Sequence, residues 1–452
     1  MLYRLSLFSV SVMLSVVTSA DVKAQAPAQT LDSIARVAIA NNLGVRRAEE
    51  RERQSAAGVD QARGMYLPSV GIDARYSRMS GEVNIGDFIN PAYASLNKLT
   101  GTNSFPTNVD ATLPLRQETK LHSTVPVYNA ALGANLDGAR SIRALRGAER
   151  GAAVRKLDAQ ARIAYLDWAR TVSAVAIWEA TLPVLTENAR VSQCLVDEGK
   201  ATPDVVLKAR AELADAQQQR AEALHNRDAA LGSLNLLLDR ETDASVPPLP
   251  ADALPSAPAI SLADALASST RREERLMAGA AVEGARAATR AAAARYLPSV
   301  GLALDYGVQG NGYHFDSNHD AMIASVVLQW NLFNGGQDDA KRQAASSARR
   351  EADEQRSDVD RQIALDVRVA WDAVQVSRDA LTSAGARLAS AQAAFRLVDR
   401  RYTEGLASRL EWSDARAQLT AAELNELLTR YALAERGIDL ERAAALRTLS
   451  KN

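Results

Sequence analysis

Tyr66-Leu67-Pro68-Ser69-Val70-Gly71 returns letter for letter as Tyr296-Leu297-Pro298-Ser299-Val300-Gly301, 230 residues further along. A repeat at that separation marks an internal duplication, which organises the whole chain. Glu198-Gly199-Lys200-Ala201 is likewise matched by Glu404-Gly405-Leu406-Ala407, and Ala209-Arg210-Ala211 by Ala415-Arg416-Ala417, now at an offset of 206. That offset holds without a gap to Leu213 and Leu419. The fall from 230 to 206 puts 24 extra residues in the first copy. The polar stretch Gly81 to Glu118, far longer than its counterpart Gly310 to Asp320, takes them as an exposed loop. Between the copies, Val246-Pro247-Pro248-Leu249-Pro250 through Pro255 forms a proline-rich linker that no helix can cross. The expected organisation is a signal peptide over 1–26, a first repeat over 27–245, a linker over 246–259 and a second repeat over 260–452. Each repeat runs helix, strand, loop, strand, long helix, turn, long helix.

The strand segments have one apolar face each. Val300, Leu302, Leu304, Tyr306 and Val308 alternate with Ser299, Gly301, Ala303, Asp305, Gly307 and Gln309, the period of two that a strand requires. Val70, Ile72, Ala74 and Tyr76 alternate in the same phase with Ser69, Gly71, Asp73, Arg75 and Ser77. Met322, Ala324, Val326, Leu328, Trp330 and Leu332 form the apolar row of the fourth strand. The second, near Leu121 to Tyr128, is the weakest, with Val125 and Val127 opposite His122 and Thr124. A soluble antiparallel sheet with one face on a core accounts for the alternation, but these strands are isolated among helices. A water-filled lumen on the polar side and lipid on the apolar side suit the rows better. Four strands cannot close a barrel, and an open edge in lipid leaves backbone groups unpaired at several kcal/mol each. Two chains give about eight strands and a filled interior, whereas three give about twelve and leave room inside.

The helical segments are unusually long. No proline occurs from Asn334 to Tyr402, and Ile363, Val367, Ala370, Val374, Ser377, Leu381, Ala384, Leu388, Ala391, Phe395, Val398 and Tyr402 fall at alternating spacings of four and three. That is a coiled-coil seam. At 1.5 Å per residue the segment reaches roughly 100 Å, wider than most single domains. The returning helix after Gly405 carries Leu419, Leu424, Leu427 and Leu428, and the first copy has Leu213, Leu224, Leu231, Leu234 and Leu238. A helical bundle without a channel explains the seams but leaves the strands without a purpose.

Composition narrows the function further. Lys+Arg 53 against Asp+Glu 54 leaves no net field for nucleic acid. Cys194 is the single cysteine, so no intramolecular disulfide forms and no cysteine stands at the cleavage site to carry a lipid. Arg4, the apolar run Leu5 to Val17 and Ala24-Gln25-Ala26 read as a secretory signal with its cleavage site; Ala20 is an earlier option. Beyond it no run of 18 apolar residues appears, which says nothing against barrel strands. His314 and His319 with Asp316 and Asp320 lie at a loop tip and lack an established ligand spacing. Trp168, Trp178, Trp371 and Trp412 fall in helical pattern as packing residues, while Trp330 suits an interfacial girdle. No nucleophile elbow, phosphate loop or zinc-helix motif occurs, and the chain is not expected to be an enzyme or to bind a cofactor.

Taken together, the pattern resembles the TolC-like outer-membrane efflux family over essentially the whole chain beyond the signal. The resemblance rests on the duplicated order, on Leu-Pro-Ser-Val-Gly leading into each odd strand, on Leu332-Phe333-Asn334-Gly335-Gly336 and on Tyr402-x-x-Gly405. It implies a mainly α fold with membrane β: a duplicated helix-strand-strand-helix-helix unit, four strands per protomer in a trimeric 12-stranded β-barrel, continued by a long α-helical coiled-coil barrel. It further implies a homotrimer in the bacterial outer membrane with its helical part in the periplasm, in contact with outer-membrane lipid and with no nucleic-acid partner. The implied role is the passive exit duct of a tripartite efflux or type I secretion system. A periplasmic adaptor would link it to an inner-membrane pump. The competing expectation is a periplasmic coiled-coil structural or adaptor protein without a pore.

The resemblance also assigns residues. The turns Gly199 to Pro203 and Gly405 to Ser408 become the periplasmic tips, which close like an iris and receive the adaptor through Gly199, Ala201, Gly405, Ala407 and Ser408. Glu411 and Asp414 match a lumen-facing acidic pair; spaced three apart, they share a helical face, and in a trimer they make two rings. Acidic residues there also suit a first helical turn for its macrodipole. Tyr402 matches a tyrosine that latches onto the neighbouring hairpin. Its acidic counterpart is Asp204, one position early, with Val205 at the matching place. Ala407 replaces a basic residue usual in the second tip, and Arg409 follows two residues later, which leaves the latch open to rewiring.

Overall fold

The computed structural model describes residues 31–78, 80, 83–113, 116–249, 254–310 and 320–449. The expected signal peptide and His314, Asp316 and His319 lie outside them. The first copy contains α1 (Leu31–Asn41), α2 (Leu43–Gly64), β1 (Ser69–Tyr76), β2 (Val83–Asn84), α3 (Gly86–Thr100), β3 (Thr112–Leu113), β4 (Gln117–Tyr128), α4 (Ala130–Asp197) and α5 (Pro203–Leu237). The second contains α6 (Leu262–Ser268), α7 (Glu273–Ala294), β5 (Ser299–Gly310), β6 (Asp320–Gln329), α8 (Gln337–Thr403) and α9 (Arg409–Ala443). The copies agree in length as well as order. Helices α2 and α7 have 22 residues each, α5 and α9 have 35, and α4 and α8 have 68 and 67.

Local chemistry sets the boundaries. Asn42 breaks the first helix from the second and caps α2 by accepting from the Gly44 amide at 2.8 Å. Asn129 caps α4 in the same way through the Ala131 amide. Gly335 and Gly336, at φ of 55° and 75°, turn the chain from β6 into α8 in a conformation that side chains resist. Every seam position named above in α8 is buried or half-buried, as the heptad spacing requires.

Four strands form one antiparallel sheet in the order β1-β4-β5-β6. Its register joins the rows anticipated from alternation. Asp73 lies opposite Lys120, which lies opposite Gly307; His122 sits between Gly71 and Asp305. The polar face is cross-linked by Arg75 to Glu118 at 2.8 Å, Lys120 to Glu118 at 3.0 Å and His122 to Asp305 at 2.6 Å. On the other face Ile72 pairs with Leu121, Tyr306 with Met322 and Leu302 with Val326. That face is bare: Ile72 is 74% exposed, Val326 73% and Met322 69%. An apolar surface of this extent needs a non-aqueous neighbour.

Three details depart from the expected strands. The second strand starts at Gln117, four residues earlier than anticipated, because Lys120 and Glu118 find partners across the polar face; Pro126 sits beside its one irregularity in register. The fourth ends at Gln329, so Trp330 and Leu332 lie past the sheet, with the Trp330 indole donating to the Tyr296 carbonyl. The long first loop is not a plain loop, since it folds into α3 and the small β2–β3 ladder. Between the tips and the sheet, α1, α4, α5, α9 and the segment around Val246 share one apolar core, and α6, α8, α9 and the chain after Ala443 share another.

The register yields a direct test. A lysine at Leu302 or Leu304 should block assembly in the outer membrane, since charge at the middle of a lipid-facing row costs roughly 2–4 kcal/mol. A lysine at Ala303 should be tolerated. The measurement is the heat-modifiable band in outer-membrane fractions, and equal damage at all three positions would refute the facing assignment.

Candidate functional site

The two long hairpins end in matching turns. Gly199 and Gly405 adopt φ of 68° and 74°, and each hands its amide back to the helix it leaves: Gly199 N to Val196 O at 2.9 Å, Gly405 N to Tyr402 O at 3.0 Å. Lys200 and Leu406 donate to Leu195 and Arg401 in the same register. This closes the last turn of both helices through a left-handed glycine. Ala201 and Ala407 follow, donating to the same carbonyls as their predecessors. Pro203 then opens α5 at its first position, where a missing amide hydrogen costs nothing.

Helix α9 opens differently. Ser408 and Glu411 make a reciprocal capping box, with Glu411 N donating to Ser408 Oγ at 3.2 Å and Ser408 N donating to Glu411 Oε2 at 2.7 Å. These bonds from Ser408 hold the Glu411 carboxyl below its ordinary value. Glu411 and Asp414 are both exposed. Of the anticipated pair, Glu411 is turned back onto its own helix.

Behind the tips, Leu185 of α4, Ala216 of α5 and Trp412 of α9 bury together, with Leu182, Phe395 and Tyr402 packed on them. The Tyr402 ring lies 5.9 Å from that of Trp412, and the Trp412 indole donates to Asp399 at 2.8 Å. Asp204 sits apart, accepting from the Thr202 hydroxyl and facing Lys208 at 3.8 Å; the Thr202 hydrogen bond is the main cause of its lowered pKa. Within the chain, Tyr402 and Asp204 therefore engage different partners.

Nearest the tips, Arg409 ties one hairpin to the other. Its guanidinium donates to Glu212 Oε2 at 3.1 Å, and the Ser413 hydroxyl donates to Glu212 Oε1 at 2.6 Å. Arg409 is only 12% exposed at the side chain. Two turns on, Arg416 donates to the Thr181 hydroxyl at 3.0 Å and lies over the Phe395 ring. Burial lowers the pKa of Arg416. Sequence reading noticed Arg409 but not its partner. Glu212 and Ser413 stand on different hairpins 201 residues apart, and no local spacing signals that meeting.

A family model described as outer membrane efflux protein matches residues 34–240 and 268–446. The chain belongs to that family. Among solved structures, CusC superposes at a TM-score of 0.77 with 18% identity, covering 92% of each chain. The outer membrane protein VceC from Vibrio cholerae gives 0.75 and 19%, covering 92% of this chain and 95% of its own. The MtrE outer membrane channel of Neisseria gonorrhoeae, in an open state, gives 0.75 and 20%, covering 92% and 88%. No curated protein matches the sequence. The efflux-family fold is thus shared along nearly the whole chain, and membership makes this an outer-membrane protein. Family members of this kind are channels rather than enzymes.

Two measurements follow from the tip geometry. In a double-mutant cycle, Glu212→Ala and Arg409→Ala should show a coupling of about 1 kcal/mol or more in local hydrogen-exchange stability, because the pair is charged and half-buried. Additive effects would show that the contact is idle. The Ser408–Glu411 box stabilises the start of α9 above the ordinary carboxyl value of 4.5 and loses that contribution as pH falls through the lower folded value. The protection of amides in the first turn of α9, taken relative to their intrinsic exchange at each pH, should therefore fall on acidification in the native protein but not in Glu411→Gln. Matching pH profiles would exclude the box as the cause.

Proposed function

We propose that three copies of this chain close into a 12-stranded barrel and form the passive exit duct of a tripartite efflux or type I secretion system. The observation that carries the reading is the four-stranded sheet itself: one face apolar and exposed, the other polar and cross-linked, and both edge strands, β1 and β6, without a further strand partner among the described residues. In lipid such edges must be satisfied, and pairing β1 of one copy with β6 of the next satisfies them all. Transport energy then comes from an inner-membrane pump, reached through a periplasmic adaptor docked on the tips at Gly199, Ala201, Gly405, Ala407 and Ser408. The exposed glycine turns support that assignment, since they leave the backbone accessible.

The gate lies at the same end. Glu411 and Asp414 of three chains make the acidic rings, and Tyr402 and Asp204 contribute to the latch through neighbouring copies. Inside each chain the Arg409–Glu212–Ser413 clamp ties the hairpins together, so dilation of the tips has to break it.

Channel and periplasmic-bundle readings part at one experiment. Purified protein should migrate as a trimer that dissociates on boiling and conduct ions in planar bilayers, whereas a soluble monomer would reject the duct. In the same bilayers, Glu411→Ala with Asp414→Ala should lower cation selectivity, and Arg409→Ala should raise conductance severalfold. Unchanged selectivity would remove the two carboxylates from the lumen.

A further inference from the structure

The insertion that lengthens the first copy is a built object. Asn90 and Asn97, seven residues apart on one face of α3, each clasp the returning chain in both directions. Asn90 Nδ2 donates to the Val109 carbonyl and Oδ1 accepts from the Val109 amide, both at 2.8 Å. Asn97 does the same with Phe105, at 2.7 and 3.0 Å. Asn84 Oδ1 closes the base, accepting from the Gly86 and Ala111 amides. Tyr93 packs its ring against Phe105, and a side chain at Gly86 would collide with the Val109 carbonyl.

All of this order fixes one face of α3 and leaves the other bare. Phe88, Leu96 and Leu99 fall at spacings of eight and three and point away from the clasp; Phe88 is 74% exposed and Leu99 83%. A rigid helix that presents apolar side chains to water is pre-organised for a partner.

We propose that the partner is α3 of the other copies: three of these helices pack their bare faces on one another and constrict the outer mouth of the barrel. The inference rests on the trimeric reading. The insertion springs from β1, the edge strand that closure seals against the next copy, so α3 rises at each seam. Twelve strands about 4.8 Å apart and tilted about 40° enclose a backbone cylinder of roughly 12 Å radius. The 15 residues of α3 span about 22 Å, enough to reach the axis from the wall. Lipid is the poorer match. A helix lying in a membrane surface sets a strongly basic face against the headgroups, and α3 carries one acid, Asp87, and one base, Lys98.

The test uses the full-length protein in outer-membrane vesicles, with Cys194→Ser to remove its native thiol and Leu99→Cys as the reporter. Mild oxidation should link neighbouring copies into a dimer band. In planar bilayers, Phe88→Asp with Leu99→Asp should raise conductance roughly twofold by opening the mouth, and the milder Phe88→Ser should shift it in the same direction. Absence of the linked band, with the unheated trimer band intact, would overturn the mouth assignment and spare the duct. Loss of the trimer band in the unsubstituted protein would bring down both. A fluorophore attached to the thiol of the Leu99→Cys variant and quenched by brominated phosphatidylcholine would hand the face to lipid and also overturn the proposal.

Discussion

Unpaired backbone at the rims of the β1-β4-β5-β6 sheet is the constraint from which the architecture follows. Each exposed amide or carbonyl costs several kcal/mol in hydrocarbon, far more than side-chain adjustments can offset. The sheet's apolar face forbids water on one side, and its edges forbid lipid at either end. Only closure with further copies meets both conditions. The helices inherit the geometry: α2, α4, α7 and α8 pack side by side directly below the strands, in an order that continues the sheet's own.

Much of this was legible in the sequence because the signals are local and periodic. Alternation at Val300 to Gln309 marked the strand and which of its residues share a face, and the heptads from Ile363 to Tyr402 marked the seam of α8. The repeated Glu-Gly-x-Ala located both tips to the residue, since a left-handed glycine is needed wherever such a hairpin turns. Other features escaped. The ordered insertion reads as loop because α3 is held by asparagine side chains gripping backbone, which leaves no hydrophobic period on its packed face. The start of β4 at Gln117 was missed since Glu118 and Lys120 look unlike a strand until Arg75 is seen beside them.

At the tips the split is sharper. Family resemblance pointed to Tyr402 and Asp204, and the fold gives Tyr402 the Trp412 ring and Asp204 the Thr202 hydroxyl as company. The polar contact between hairpins nearest the tips is made instead by Arg409, Glu212 and Ser413. A long-range ion pair has no signature in a single sequence, because either partner alone is an ordinary solvated charge.

The clamp also makes the two copies unlike. At the 206-residue offset, Pro203 stands where Arg409 would be, Leu207 where Ser413 would be, and Gln418 where Glu212 would be. The proposed ring of three chains would hold six hairpins that look interchangeable along their backbones. Their joints would nevertheless alternate, riveted within a chain and of another make between chains. On that proposal, widening of the ring would proceed in threes rather than sixes, and a docking partner would meet a triangle where the helices suggest a hexagon.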